Sequence, residues 1–205
     1  MERPIIYRDW GIRAIREGRK THTRRTKGLE EINEHPDEWK YLYRAEDSGL
    51  YLFSHPNFGI RAIKCPFGQK GDRLWVREAL FRYPYLNEAG YLSTDEPVID
   101  KRNMELSDGI AIWHWQRDIL PAIFMPRWAS RITQELGADP YPQRVQEISV
   151  ADIKAEGVDI TYSGSEHWRI GSPYSDMAKL WDSIHGKGAW ERNPWVWVLP
   201  ELKVV

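Results

Sequence analysis

The chain has 205 residues, 41% of them hydrophobic and 29% charged, with a net charge of −1; it is long enough for one large domain or two small ones with a proper core, and ordinary for a globular protein. A near-neutral balance argues against a protein that coats nucleic acid by charge alone. Cys65 is the only cysteine, which excludes an internal disulfide and a zinc site built from several thiolates.

The start, Met1-Glu2-Arg3-Pro4, leads into no apolar core of signal-peptide length, and no run approaches the roughly 18 apolar residues that cross a bilayer. With a lone thiol, this reads as a cytoplasmic protein with no membrane partner. Asp9 to Glu17 predicts a short helix, with Asp9 as N-cap, Ile12 and Ile15 on one face and Gly18 as the left-handed stop. Residues 28–62 read as an inserted excursion. It is acidic early (Glu30, Glu31, Glu34, Asp37, Glu38), then aromatic, and the two-residue spacing of Tyr41 and Tyr43 and of Tyr51 and Phe53 favours a hairpin.

After Gly71-Asp72, the alternation Arg73-Leu74-Trp75-Val76-Arg77 predicts a half-buried strand. A second loop-rich insertion runs over 83–108, and Ile110 to Trp115 passes the same test for a strand. Met125 to Leu136 predicts a turn entering a strand, and Gln143 to Ile148 a short strand. Ser149 then caps a helix, Asp152 completing an S-x-x-D variant of the capping box, and the helix stops at Glu156-Gly157. A third insertion covers 158–173. Met177, Leu180, Trp181 and Ile184 form an apolar helical stripe ended by Gly186, and Trp195 to Leu199 reads as a final strand. Short strands with short helices imply an α+β fold around a small curved sheet or barrel.

The richest stretch for chemistry is Gly18-Arg19-Lys20-Thr21-His22-Thr23-Arg24-Arg25. Residues 13–27 carry seven Lys and Arg side chains against Glu17 alone, a local charge of +6 in a chain of −1. That concentration marks a site for something anionic or carbonyl-rich. The histidines His22, His55, His114, His167 and His185 show no metal-ligand spacing, and no zinc deaminase signature is present. Neither metal nor cofactor is expected. Most of the tryptophans, Trp75, Trp113, Trp128, Trp195 and Trp197 among them, read as core, with one or two available to stack on a base.

The block from Ile15 to Arg25 has company in Cys65-Pro66-Phe67-Gly68-Gln69-Lys70-Gly71-Asp72-Arg73-Leu74-Trp75-Val76-Arg77-Glu78. Met125-Pro126-Arg127-Trp128-Ala129-Ser130-Arg131-Ile132, Ala155-Glu156-Gly157 and Asn193-Pro194-Trp195-Val196-Trp197-Val198 complete the set. In this order the chain resembles the ASCH family of the PUA-like superfamily, most closely the ASCH proteins of phages and prophages. The resemblance implies a single domain over 1–205, a PUA-like small β-barrel with short flanking helices and long loop insertions. It also implies a cleft beside the first helix for a modified nucleoside or RNA. Small bacterial members that hydrolyse N4-acetylcytidine carry a Gly-Arg-Lys-Thr-x-Thr motif. Carried over, Lys20 becomes the base, Thr23 the nucleophile and Glu156 the proton donor. Arg19, Thr21, Arg24, Arg25, Trp75 and Arg77 become candidates for binding the substrate or a nucleic acid.

The chemistry is self-consistent. A threonine hydroxyl needs a base, and a lysine serves only if burial or neighbouring cations lower its pKa from about 10.4. Regular strand alternation would turn Lys20 and Thr23 to opposite sides, so a turn or bulge after Gly18 must break it. Structural uses compete: Lys20 as an exposed strand lysine, Thr23 as a core β-former, Arg24 and Arg25 paired with the acidic run at 30–38, Glu156 as a solvated glutamate beside Lys154. Two further activities remain open on the same residues: non-catalytic RNA binding, and metal-independent ribonuclease action with His22 or Glu156 beside Lys20.

Overall fold

The computed structural model describes residues 1–102, 109–158 and 172–205. In chain order it begins with β1 (Glu2–Ile6), α1 (Asp9–Arg16), β2 (Thr23–Arg25), α2 (Glu30–Glu34), β3 (Lys40–Arg44), β4 (Tyr51–His55) and β5 (Gly59–Ile63). There follow β6 (Arg73–Arg77), β7 (Leu80–Arg82), β8 (Ala89–Tyr91), β9 (Ile119–Leu120), β10 (Thr133–Glu135) and β11 (Tyr141–Arg144). The last elements are α3 (Val150–Ala155), α4 (Pro173–His185), β12 (Trp195–Leu199) and β13 (Lys203–Val204). The fold is α+β, with four small sheets, and none of them closes into a barrel among the described residues. Residue contacts gather into two compact units: Met1–Gly18 with Asp72–Glu135 and Lys203–Val205, and Arg19–Gly71 with Leu136–Leu202.

In the first unit, β6 lies between parallel β1 and antiparallel β10, with β13 outside β10. Flanked on both edges, β6 buries Leu74, Trp75 and Val76 together rather than alternately. Helix α1 buries Gly11, Ile12, Ala14 and Ile15. Its N-cap position is Arg8, without a side-chain cap, so Asp9 sits inside the first turn, where a carboxylate still favours the positive end of the dipole. Gly18 follows with φ +72°, the left-handed stop expected of it.

The segment expected as a strand at 110–115 makes only isolated bridges, Ile110 with Ile99 and Ile112 with Glu88. Ala111 and Trp113 still point into a core with Leu80, Tyr91, Val98, Leu120 and Met125. Alternating burial is therefore present without a continuous ladder.

The second unit is built around β12, paired antiparallel with β11 on one edge and β2 on the other. Its alternation sorts two layers. Val196 and Val198 pack with Ile153 of α3 and with Met177 and Trp181 of α4. Trp195 and Trp197 meet the aromatic face of β4: Tyr51 lies 4.7 Å from Trp197 and Phe53 5.3 Å from Trp195, both edge-on. The excursion expected as a hairpin is the antiparallel sheet β3-β4-β5, with α2 before it.

One boundary differs from expectation. The strand placed at 143–148 is Tyr141–Arg144, followed by a 3-10 turn over Val145–Glu147. Helix α4 starts at Pro173, capped by the Ser172 hydroxyl, with Met177 and Trp181 on its buried face. Most of the third expected insertion lies outside the described residues.

Candidate functional site

The segment after Gly18 docks on the C-terminal end of α3 through its backbone. Lys20 and Glu156 form an isolated antiparallel bridge. The amides of Thr21 and His22 both donate to the Ala155 carbonyl, at 2.8 and 2.9 Å. Two consecutive amides sharing one acceptor cannot continue a ladder, so this is where strand alternation breaks before β2 begins. Helix α3 is fixed at its other end by the Ser149 hydroxyl, which accepts the Asp152 amide at 3.1 Å. The Asp152 carboxylate does not close the capping box and is spent elsewhere.

Lys20 and Glu156 then meet through their side chains. The amine donates to Glu156 Oε2 at 2.6 Å and to the Glu156 carbonyl at 2.8 Å. Their side chains are only 2% and 6% exposed. Arg24 joins them, its side chain 1% exposed. Nη1 donates to Glu156 Oε1 at 3.1 Å, and Nη2 donates to Asp152 Oδ2 at 3.1 Å and to Gln143 Oε1 at 3.0 Å. Each carboxylate oxygen of Glu156 therefore serves one cation. Burial, the largest influence, lowers the proton affinity of the Lys20 amine; Glu156 opposes the shift, and Arg25 and Arg24 add to it. Burial likewise lowers the His22 pKa below its usual value, against the nearby carboxylates of Asp152 and Glu156.

Thr23 stands apart from this cluster. It pairs with Leu199 and Arg24 pairs with Val198. Directly opposed residues of an antiparallel pair share a face. Arg24 thus lies on the helix side of the sheet with Val198, and Thr23 faces the other way. Thr23 is 3% exposed, and its hydroxyl makes no hydrogen bond among the described residues. The structure brings the expected base and acid together and puts Arg24, not Thr23, beside them.

The other candidates have local roles. Arg19 donates to the Gly157 carbonyl at 2.8 Å. The Thr21 hydroxyl lies 3.2 Å from His22 Nδ1, and the Thr21 carbonyl accepts the Leu202 amide at 2.7 Å. Arg25 is half-buried opposite Trp197. Within the acidic run at 30–38, Glu31 pairs with Arg61 and Asp37 with Arg144. Trp75 and Arg77 belong to the first unit, where Arg77 lies 4.6 Å from the Trp75 ring centre and donates to the Ile123 carbonyl.

Asp152 and Gln143 read from the sequence only as a capping residue and a strand start, not as parts of the site. Asp152 had a usable signal: it lies four residues before Glu156, the spacing that stacks two helical side chains on one face. Gln143 had none, since its role depends on β11 pairing with β12. No helix among the described residues is long and apolar enough to cross a membrane. No protein-family model, curated protein or solved structure matches the chain.

Proposed function

We propose that this chain is a PUA-like protein of ASCH type that deacylates N4-acetylcytidine or a related N-acylated nucleoside, with Lys20 and Glu156 as its proton-transfer pair. The observation that carries this reading is the 2.6 Å contact between a buried amine and a buried carboxylate drawn from chain positions 20 and 156. Amide hydrolysis needs a group to take a proton from the nucleophile and a group to give one to the leaving amine. A lysine whose ammonium form is disfavoured by burial suits the first task, and a carboxyl in hydrogen-bond contact with it suits the second. The order of the sequence blocks supports the family assignment.

Water is the nucleophile that best fits this arrangement, because Thr23 lies on the opposite face of β2. The amine must be uncovered when substrate arrives, since its side chain is 2% exposed. Binding of RNA phosphates by Arg24 is disfavoured, its guanidinium being engaged by Glu156, Asp152 and Gln143.

Deacylation of N4-acetylcytidine by purified protein tests the reading. Lys20→Ala and Glu156→Gln are expected to lower kcat by about 100-fold or more, the usual scale for losing a general acid or base. Thr23→Val is expected to retain most of the activity. Absence of turnover by the wild-type chain, or turnover indifferent to Lys20, would remove the proposal; loss of activity in Thr23→Val would return the nucleophile to Thr23.

A further inference from the structure

Arg24 is the residue of this cluster to which the proposed reaction assigns no step, yet it makes the most directed contacts. Its guanidinium reaches from β2 to α3 and β11, holding Asp152 Oδ2, Gln143 Oε1 and Glu156 Oε1 at 3.0–3.1 Å. A planar fork fixed at three acceptors has little freedom to rotate. The carboxylate it grips is consequently divided, with Oε1 on the guanidinium and Oε2 on the Lys20 amine at 2.6 Å.

We infer that Arg24 is a positioning residue: by occupying Oε1 of Glu156 it leaves Lys20 only Oε2, and its own charge offsets the hold of that carboxylate on the Lys20 proton. The inference rests on the reading above that Lys20 accepts a proton during turnover, but its physical core can be measured without substrate.

The charged and titratable groups around the amine set the sign. Glu156, at the end of α3, favours the amine's proton, and Arg25 and Arg24 of β2 oppose it. Beyond them His22 faces Asp152, Glu156, Arg24 and Glu201, and Tyr141 of β11 faces Asp152 and Arg24. Removing Arg24 takes away a nearby cation, frees Oε1 of Glu156 to serve Lys20, and leaves Asp152 without its guanidinium. All three changes favour the ammonium form. A conservative lysine at 24 keeps the cation but cannot grip three acceptors at once, so part of the effect should persist.

The test follows the Lys20 side chain by NMR in isotope-labelled protein, its signal assigned by its loss in Lys20→Arg. In Arg24→Met the titration midpoint of the amine should rise by about one pH unit, tenfold in proton affinity, and in Arg24→Lys by about half as much. Should Arg24→Met fail to fold, Arg24→Lys decides alone. An unmoved midpoint in the folded variants overturns the inference and leaves Arg24 as a scaffold residue. In the deacylation assay, Arg24→Lys should shift the pH profile of kcat to higher pH with little change in KM.

The two ideas fail separately. A raised midpoint in a protein that does not deacylate supports the role of Arg24 and sinks the proposed reaction. Deacylation with an unmoved midpoint does the reverse.

Discussion

At the scale of single residues, the site is defined by who shares the Glu156 carboxylate. Its two oxygens face two nearly unexposed cations, and losing one partner from such a buried pair typically costs about 3–5 kcal/mol. Activity in Glu156→Gln must therefore be compared at matched folded fraction. His22, beside this cluster, gives the pH dependence. Burial lowers its pKa in the folded chain below the usual 6.5. As pH falls through 6.5 the unfolded chain takes up its proton first, so stability declines over the window between that value and the lower folded one, and recovers as pH rises. His22→Gln is expected to flatten that part of the stability profile in denaturant titrations; an unchanged slope would show that His22 is not its source. Lys20 and Glu156 are reached through the resemblance to proteins with the Gly-Arg-Lys-Thr-x-Thr motif, while Gly18 and Gly157 make only the turns near them legible. The sequence could not resolve which of Thr23 and Arg24 faces them, because that depends on one pair of amides sharing a carbonyl.

At the scale of elements, α3 matters beyond its size. Its six residues run from Val150 to Ala155, with the Ser149 hydroxyl at one end and Glu156 at the other. Helices this short are marginal without caps and packing. Ser149→Ala should cost about 1 kcal/mol of stability, read by chemical denaturation, and should reduce any Lys20-dependent activity because Glu156 ends this helix. A stability change well below a few tenths of a kcal/mol would mean that Ile153 packing alone holds α3. Elements with strong local signals were legible: the final strand, the stripe of α4 and the aromatic hairpin. The segment at 110–115 misled because alternating burial requires only alternating environments, and here packing on Leu80, Tyr91 and Leu120 supplies the buried side with isolated bridges in place of a ladder.

At the scale of the whole chain, both units are assembled from separated stretches: the first from three, the second from two. Length allowed one domain or two, and composition could not choose, because interleaved units leave no linker to read. No single cut yields a complete unit. Fragments 1–71 and 72–205, each expressed alone, are expected to lack the near-ultraviolet circular dichroism of packed tryptophans; a native-like spectrum from either would show that its share of the contacts suffices.

The shared carbonyl of Ala155 has a consequence in time as well as space. The Thr21 and His22 amides are both tied to that one oxygen, so one event, the undocking of α3, frees both. Under hydrogen–deuterium exchange the two neighbours should therefore lose protection in step, at the rate at which the helix lifts away. Two adjacent probes would then clock how often the lysine comes within reach of anything outside.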